Sequence, residues 1–121
     1  MIRPTLTLIV GINASIRHDD EWFDEPDELS RIQRIIDELA EIEDPVNAAG
    51  LMAYRIAKSQ AFSEGNKRTA VLAARWILDE NQADGLRFIP ENDLDLASLL
   101  LRAARGEDVG DQVLALFESR R

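Results

Sequence analysis

Between Lys67 and Asn81 the chain is apolar on nearly every side, with Ala70, Val71, Leu72, Ala73, Ala74, Trp76, Ile77 and Leu78 in one run. A helix with that pattern has no face to offer water, so the rest of the chain must wrap around it. With 121 residues there is enough chain to do so in a single domain, 1–121, with its own core. Cysteine is absent and His18 is the only histidine. That composition excludes a disulfide framework, a thiolate or histidine-rich metal site and a cysteine nucleophile.

The flanking segments supply the wrapping. From Glu28 onward, Leu29, Ile32, Ile36, Leu39 and Ala40 fall on one helical face, with Arg31, Arg34, Asp37 and Glu38 largely on the other. Asp44-Pro45 reads as an N-cap and first turn. The helix it starts carries Val46, Ala49, Met52, Ala53, Ile56 and Ala57 on one stripe to about Gln60. Two leucine-rich helices follow the central one, over about 92–105 and 108–119, parted by Gly106. Residues 86–90 read as a short extended piece. Thr5 to Val10 is β-branched and then broken by Gly11, Asn13 and Ser15, which leaves a short N-terminal strand or flap and an irregular lead-in both open. The acidic stretch 17–27 reads as a loop pinned by Trp22 and Phe23 and closed by Pro26. Five helices without strand alternation predict an all-α bundle around a buried central helix at about 67–81. Within it, Trp76 and the run Leu94 to Leu101 are expected in the core, and Arg75 with Asp79 is expected to form an i,i+4 ion pair.

A formal net charge of -9 argues against a nucleic-acid surface or an anionic membrane, both of which demand a basic patch. No stretch approaches the roughly 20 apolar residues of a membrane span, and residues 1–8 lack the features of a signal peptide. The expectation is a cytoplasmic protein whose partner is a protein or a small molecule. Against that acidic background Lys58, Lys67, Arg68 and Arg75 gather in one part of the sequence, as they would to build an anion site.

Glu64, Gly65, Asn66, Lys67 and Arg68 open the buried helix, where free backbone N–H groups and the helix dipole both favour an anion. Gly65 permits close backbone approach or a positive φ, and Asn66 can cap the helix or reach a ligand oxygen. Lys67 offers a point charge and Arg68 a planar fork, together suited to a diphosphate or triphosphate. Glu64 offers the one carboxylate that magnesium needs beside substrate oxygens and water. The plain alternative is a turn glycine, a cap and two solvated cations. Two cations at a helix N-terminus oppose the dipole, however, and that mismatch favours a bound anion.

Residues 60–70, Gln-Ala-Phe-Ser-Glu-Gly-Asn-Lys-Arg-Thr-Ala, resemble the signature of Fic/Doc proteins, His-x-Phe-x-(Asp or Glu)-(Gly or Ala)-Asn-(Gly or Lys)-Arg, at every position but the first. The flanks from about Asn47 to Pro90 resemble that family too. The resemblance implies an ATP- or other nucleotide-dependent transfer of a phosphoryl or nucleotidyl group to a protein hydroxyl. It implies Phe62 in the core, Glu64 on Mg2+, Gly65, Asn66 and Lys67 around the phosphates, and Arg68 on a further phosphate. Lys67 before Arg68, with Val71 where AMP-transferring members carry another arginine, resembles the Doc toxins of toxin-antitoxin pairs, which phosphorylate a translation elongation factor. Gly65 is the more Fic-like choice. Gln60 stands where the family carries its general-base histidine, and a glutamine amide cannot take a proton near neutral pH. The resemblance therefore supports either a Doc-like transferase with altered chemistry or a catalytically inactive relative that binds nucleotide or a partner. No (Ser or Thr)-x-x-x-Glu-(Gly or Asn) inhibitory helix occurs in the chain, so restraint is expected from a separate antitoxin protein.

Overall fold

The computed structural model describes residues 1–17 and 27–121, and the regular structure among them is entirely helical. His18, Trp22 and Phe23, with the expected aromatic pinning of their loop, lie outside the described residues. The order is α1 (Leu6–Ile16), α2 (Leu29–Glu38), α3 (Pro45–Ser59), α4 (Asn66–Glu80), α5 (Gly85–Phe88), α6 (Leu94–Ala104) and α7 (Gly110–Ser119). The buried helix expected over 67–81 is α4, and its most extensive partner is α3. The remaining helices close around that pair: α6 and α7 pack on α3, α1 on α4, and α2 on both α1 and α3.

Small side chains set the closeness of this packing. Ala48, Ala49, Ala53 and Ala57 of α3 and Ala70, Ala73 and Ala74 of α4 are all fully buried. At Gly50 an added Cβ would stand 3.0 Å from Leu114 Cδ2 and 3.2 Å from Phe117 Cδ2, so α7 can lie against α3 only where no side chain intervenes. Asp44 accepts from the Val46 N–H at 3.1 Å, and Pro45 takes the first helical position, as the Asp44-Pro45 signal predicts.

Several expectations are corrected. Thr5 to Val10 is neither strand nor lead-in but the cap and first turns of α1. Thr5 Oγ1 accepts from the Leu8 N–H at 3.2 Å, while Ile9 and Asn13 are buried on the side that packs on α4. The low helix propensity of β-branched residues costs only tenths of a kcal/mol each, about 0.5. Burying one such side chain returns roughly 1.5–3 kcal/mol, so packing decides the conformation. A Cβ at Gly11 would touch nothing within 4 Å, and the residue is simply accommodated. Residues 85–88 form one helical turn because Asp84 accepts from the N–H groups of Leu86 and Arg87 at 3.1 and 3.2 Å. The Arg75–Asp79 pair does not form. Arg75 instead donates to the carbonyls of Ile89 and Pro90, and Asp79 accepts from the Gly85 N–H at 2.8 Å. Of the run Leu94 to Leu101 only Leu96 and Leu100 are fully buried, Leu99 packs against the core, and Leu94 is 80% exposed. Trp76 is half-buried and packs against the core from outside.

One ion pair fastens the C-terminal end. Asp93, the N-cap of α6, meets Arg120 at the end of α7 through two bonds of 2.5 and 2.9 Å, and Arg120 also donates to Phe88 O at 2.7 Å. Burial alone would raise the Asp93 pKa, but the Arg120 guanidinium and the Leu96 N–H outweigh it and hold the carboxyl below its ordinary range. A depressed carboxyl stabilises the fold above its unfolded pKa, about 3.9 for aspartate, and that contribution is lost as pH falls through the folded value. Asp93→Asn keeps the cap and leaves Arg120 facing a neutral amide. Denaturant unfolding at pH 7 is expected to show a loss of about 1–2 kcal/mol, and the variant's stability should change less than the parent's between pH 6 and pH 3.

Candidate phosphate-binding site

The segment joining α3 to α4 is held from several sides, and each hold has a named donor. Gln60 ends α3 in the left-handed conformation, with φ 49°, and its side-chain Nε2 donates to Ala57 O at 2.7 Å. Its amide thus satisfies a carbonyl that the end of α3 leaves without a helical partner. The carbonyls on either side of Gln60 are tied to the start of α2. Ala61 O accepts from the Glu28 N–H at 2.7 Å, and Ser59 O accepts from Arg31 Nη1 at 2.7 Å. Arg31 is itself paired with Glu28 at 2.8 Å.

Phe62 is buried, as the resemblance implied, and fixes the middle of the turn. Asn66 closes on its backbone: Oδ1 accepts from the Phe62 N–H at 3.0 Å and Nδ2 donates to Phe62 O at 2.8 Å. Asn66 was expected to cap α4 or to reach a ligand oxygen. The cap position belongs to Gly65, with φ 77°, and the Asn66 amide is engaged with Phe62, which leaves its backbone N–H without a hydrogen bond among the described residues. Ser63 N–H donates to Asp27 Oδ1 at 3.0 Å, while Arg17 donates to Asp27 Oδ2 at 2.7 Å and to the Ser63 hydroxyl. Asn13, 1% exposed, donates to Glu64 O at 2.9 Å and to Thr69 Oγ1 at 3.1 Å, and accepts from Arg17 at 3.1 Å.

The first intrahelical bond of α4 runs from the Thr69 N–H to Gly65 O at 2.8 Å. The N–H groups of Asn66, Lys67 and Arg68 carry no hydrogen bond among the described residues. Lys67 and Arg68 are exposed beside them, and among the described residues neither has a carboxylate partner. The other two cations of the sequence cluster are spent elsewhere. Lys58 donates to Asp108 at 2.6 Å and to the Tyr54 hydroxyl at 3.0 Å, and its bond to Asp108 raises its pKa. Arg75 serves the two carbonyls given above. The four-cation cluster therefore reduces to Lys67 and Arg68 with a row of backbone donors.

Glu64 is half-buried at the rim of that row. Among the described residues no group of three or more His, Cys, Asp or Glu could hold a metal. A lone carboxylate fits magnesium that brings its own phosphate oxygens and waters, and does not fit a resident all-protein site. None of the hollows found among the described residues is lined by Glu64, Gly65, Asn66, Lys67 or Arg68. One of about 320 Å³ between α2 and α3 is lined by Arg31, Arg34, Glu38, Arg55, Lys58 and Ser59. A smaller one of about 180 Å³ runs along α4 from Val71 past Arg75 to Ile89 and Asp93. The start of α4 is thus an open surface of backbone donors, a form that suits a charged group, which needs donors more than enclosure.

Asn13, Arg17, Asp27, Glu28 and Arg31 escaped the sequence reading. Ile9, Ile12, Asn13 and Ile16 share helical spacing behind a Thr5 cap, and Arg17 follows Asn13 at i+4, so the signal for α1 was present. Nothing in the local pattern ties Asp27 or Glu28 to a turn more than thirty residues away.

A small helical bundle whose central helix opens on a row of backbone donors beside two exposed cations is the class defined by these features. The Fic/DOC family profile matches residues 11–78, more than half of the chain, and the protein belongs to that family. The match begins inside α1 and ends near the close of α4. No curated protein and no solved structure matches the chain.

Proposed function

We propose that the start of α4 holds the phosphates of ATP or another nucleotide, and that the protein transfers a phosphoryl or nucleotidyl group from it to a protein hydroxyl as a Doc-like toxin. The observation that carries this is the pair Lys67 and Arg68, exposed and, among the described residues, without carboxylate partners in a chain with 23 acidic residues, beside the N–H groups of Asn66 to Arg68. Gly65 lets the phosphates approach the backbone, Lys67 neutralises them, and Arg68 supplies a two-pronged contact whose charge stabilises the transferred group. Glu64 would hold magnesium carried by the nucleotide, whose positive charge would offset the charge that develops on the phosphates. The expected setting is the cytoplasm, with an antitoxin protein as the restraining partner and a translation factor as a candidate target.

The second reading, a silent relative that binds nucleotide or a partner protein, is favoured by Gln60. Its amide is bonded to Ala57 O and has no basic nitrogen to accept a proton. Transfer to lysate proteins from ATP labelled at the α or the γ phosphate separates the two. Label transferred by the unmodified protein and lost in Arg68→Ala supports the transferase, and its position names the group moved. Nucleotide binding without transfer supports the silent relative, and transfer that survives in Arg68→Ala contradicts the placement of the site.

A further inference from the structure

We infer that Asn13 of α1 is a positioning residue that turns the Gly65 N–H outward and adds it to the phosphate donors; this rests on the nucleotide reading above. The Glu64–Gly65 peptide is planar and trans, so its C=O and N–H point in opposite directions. Asn13 Nδ2 holds Glu64 O at 2.9 Å on the side facing α1. The Gly65 N–H therefore points away from α1, and it has no hydrogen bond among the described residues. It stands next in line to the free N–H groups of Asn66, Lys67 and Arg68. A left-handed residue followed by right-handed ones makes these successive donors converge, which is the geometry of an anion-binding nest.

Asn13 is itself over-determined. Its second donor contact is to Thr69 Oγ1, fully buried one turn into α4, and its oxygen is held by Arg17. The amide cannot rotate without breaking all three contacts, so it locks the Glu64 carbonyl. Released, that carbonyl could swing toward the ligand and set a partial negative charge against phosphate. Gly65 is matched to this neighbour as well as to its φ. A Cβ there would come within 3.2 Å of Asn13 Nδ2 and 3.4 Å of Ile16 Cδ1.

The test is an amide-resolved NMR titration of the full chain with MgATP, together with the dissociation constants of two variants. Asn13→Asp keeps the shape but loses both donor bonds, whereas Ile9→Ala removes a fully buried side chain from the same helix and touches none of the motif contacts. In the unmodified protein the Gly65 amide should shift with those of Asn66 to Arg68. Asn13→Asp should abolish the Gly65 shift and weaken binding roughly tenfold, the worth of one charge-assisted hydrogen bond. Ile9→Ala, measured at a temperature where it is folded, should keep the shift and the affinity. Shifts at Asn66 to Arg68 with Gly65 unmoved would overturn this inference and leave the phosphate site standing. Equal losses in the two variants would also overturn it, and no binding by the unmodified protein would overturn both.

Discussion

Gln60→His is expected to raise transfer of label from nucleotide to protein by about 10²–10⁴-fold, the typical contribution of a general base. The backbone accepts the change, because histidine is among the residues that tolerate the left-handed conformation held at this position, φ 49°. What is lost is one part-buried hydrogen bond to Ala57 O, about 1 kcal/mol. What is gained is a nitrogen, at the C-terminal end of α3 where the turn begins, that can take the acceptor hydroxyl's proton as its oxygen bonds to phosphorus and the phosphoanhydride bond to the departing nucleoside diphosphate or pyrophosphate breaks. Protein labelling per unit time, with equal nucleotide occupancy checked in both proteins, reads the effect. An unchanged rate at equal occupancy would mean that the proton is handled elsewhere or that position 60 does not face the reacting atoms.

Removing both cations should have the largest effect on binding. Lys67→Ala with Arg68→Ala deletes two charge-assisted contacts, each worth roughly 1.5–3 kcal/mol, so nucleotide affinity should fall by about 10²–10⁴-fold. Both side chains are exposed and neither has an ion pair among the described residues, so the free protein should lose almost no stability. Removing two cations from the positive end of α4 is, if anything, mildly favourable to the helix. Thermal unfolding shows both points in one experiment. A hundredfold excess of MgATP over its Kd stabilises the unmodified protein by about 2.7 kcal/mol. The double variant should melt at the parent's temperature without nucleotide and show no shift with it. A variant that still shifts fully would place the nucleotide somewhere other than the start of α4.

Fold class and central helix were legible because burial leaves a strong mark. An apolar run such as Ala70 to Leu78 has one stable environment, and Asp44-Pro45 has one common meaning. The start of α1 was misread, because its β-branched residues follow a strand's composition and mask the helical spacing of Ile9, Ile12, Asn13 and Ile16, while its burial comes from contacts with α4. Leu94 and Leu101 misled for the opposite reason: leucine is a good helix former on an open surface as well as in a core, and their spacing puts them on the solvent side of α6. At the site, the motif gave the donors but not their geometry. Asn66 looked like a ligand-binding amide, and its bonds to Phe62 become visible only once the turn is closed. The clamp on that turn comes from Asn13, Asp27 and Glu28, far away in sequence, and pairings at that separation are set by tertiary packing alone.

A calorimetric titration of MgATP into the unmodified protein, repeated with Arg68→Ala, tests the central claim most directly. Saturable one-to-one binding that weakens at least tenfold in Arg68→Ala is the predicted result, whether or not group transfer follows. Absence of binding to the unmodified protein, or equal affinity in the variant, would contradict the assignment of the α4 N-terminus as a nucleotide phosphate site.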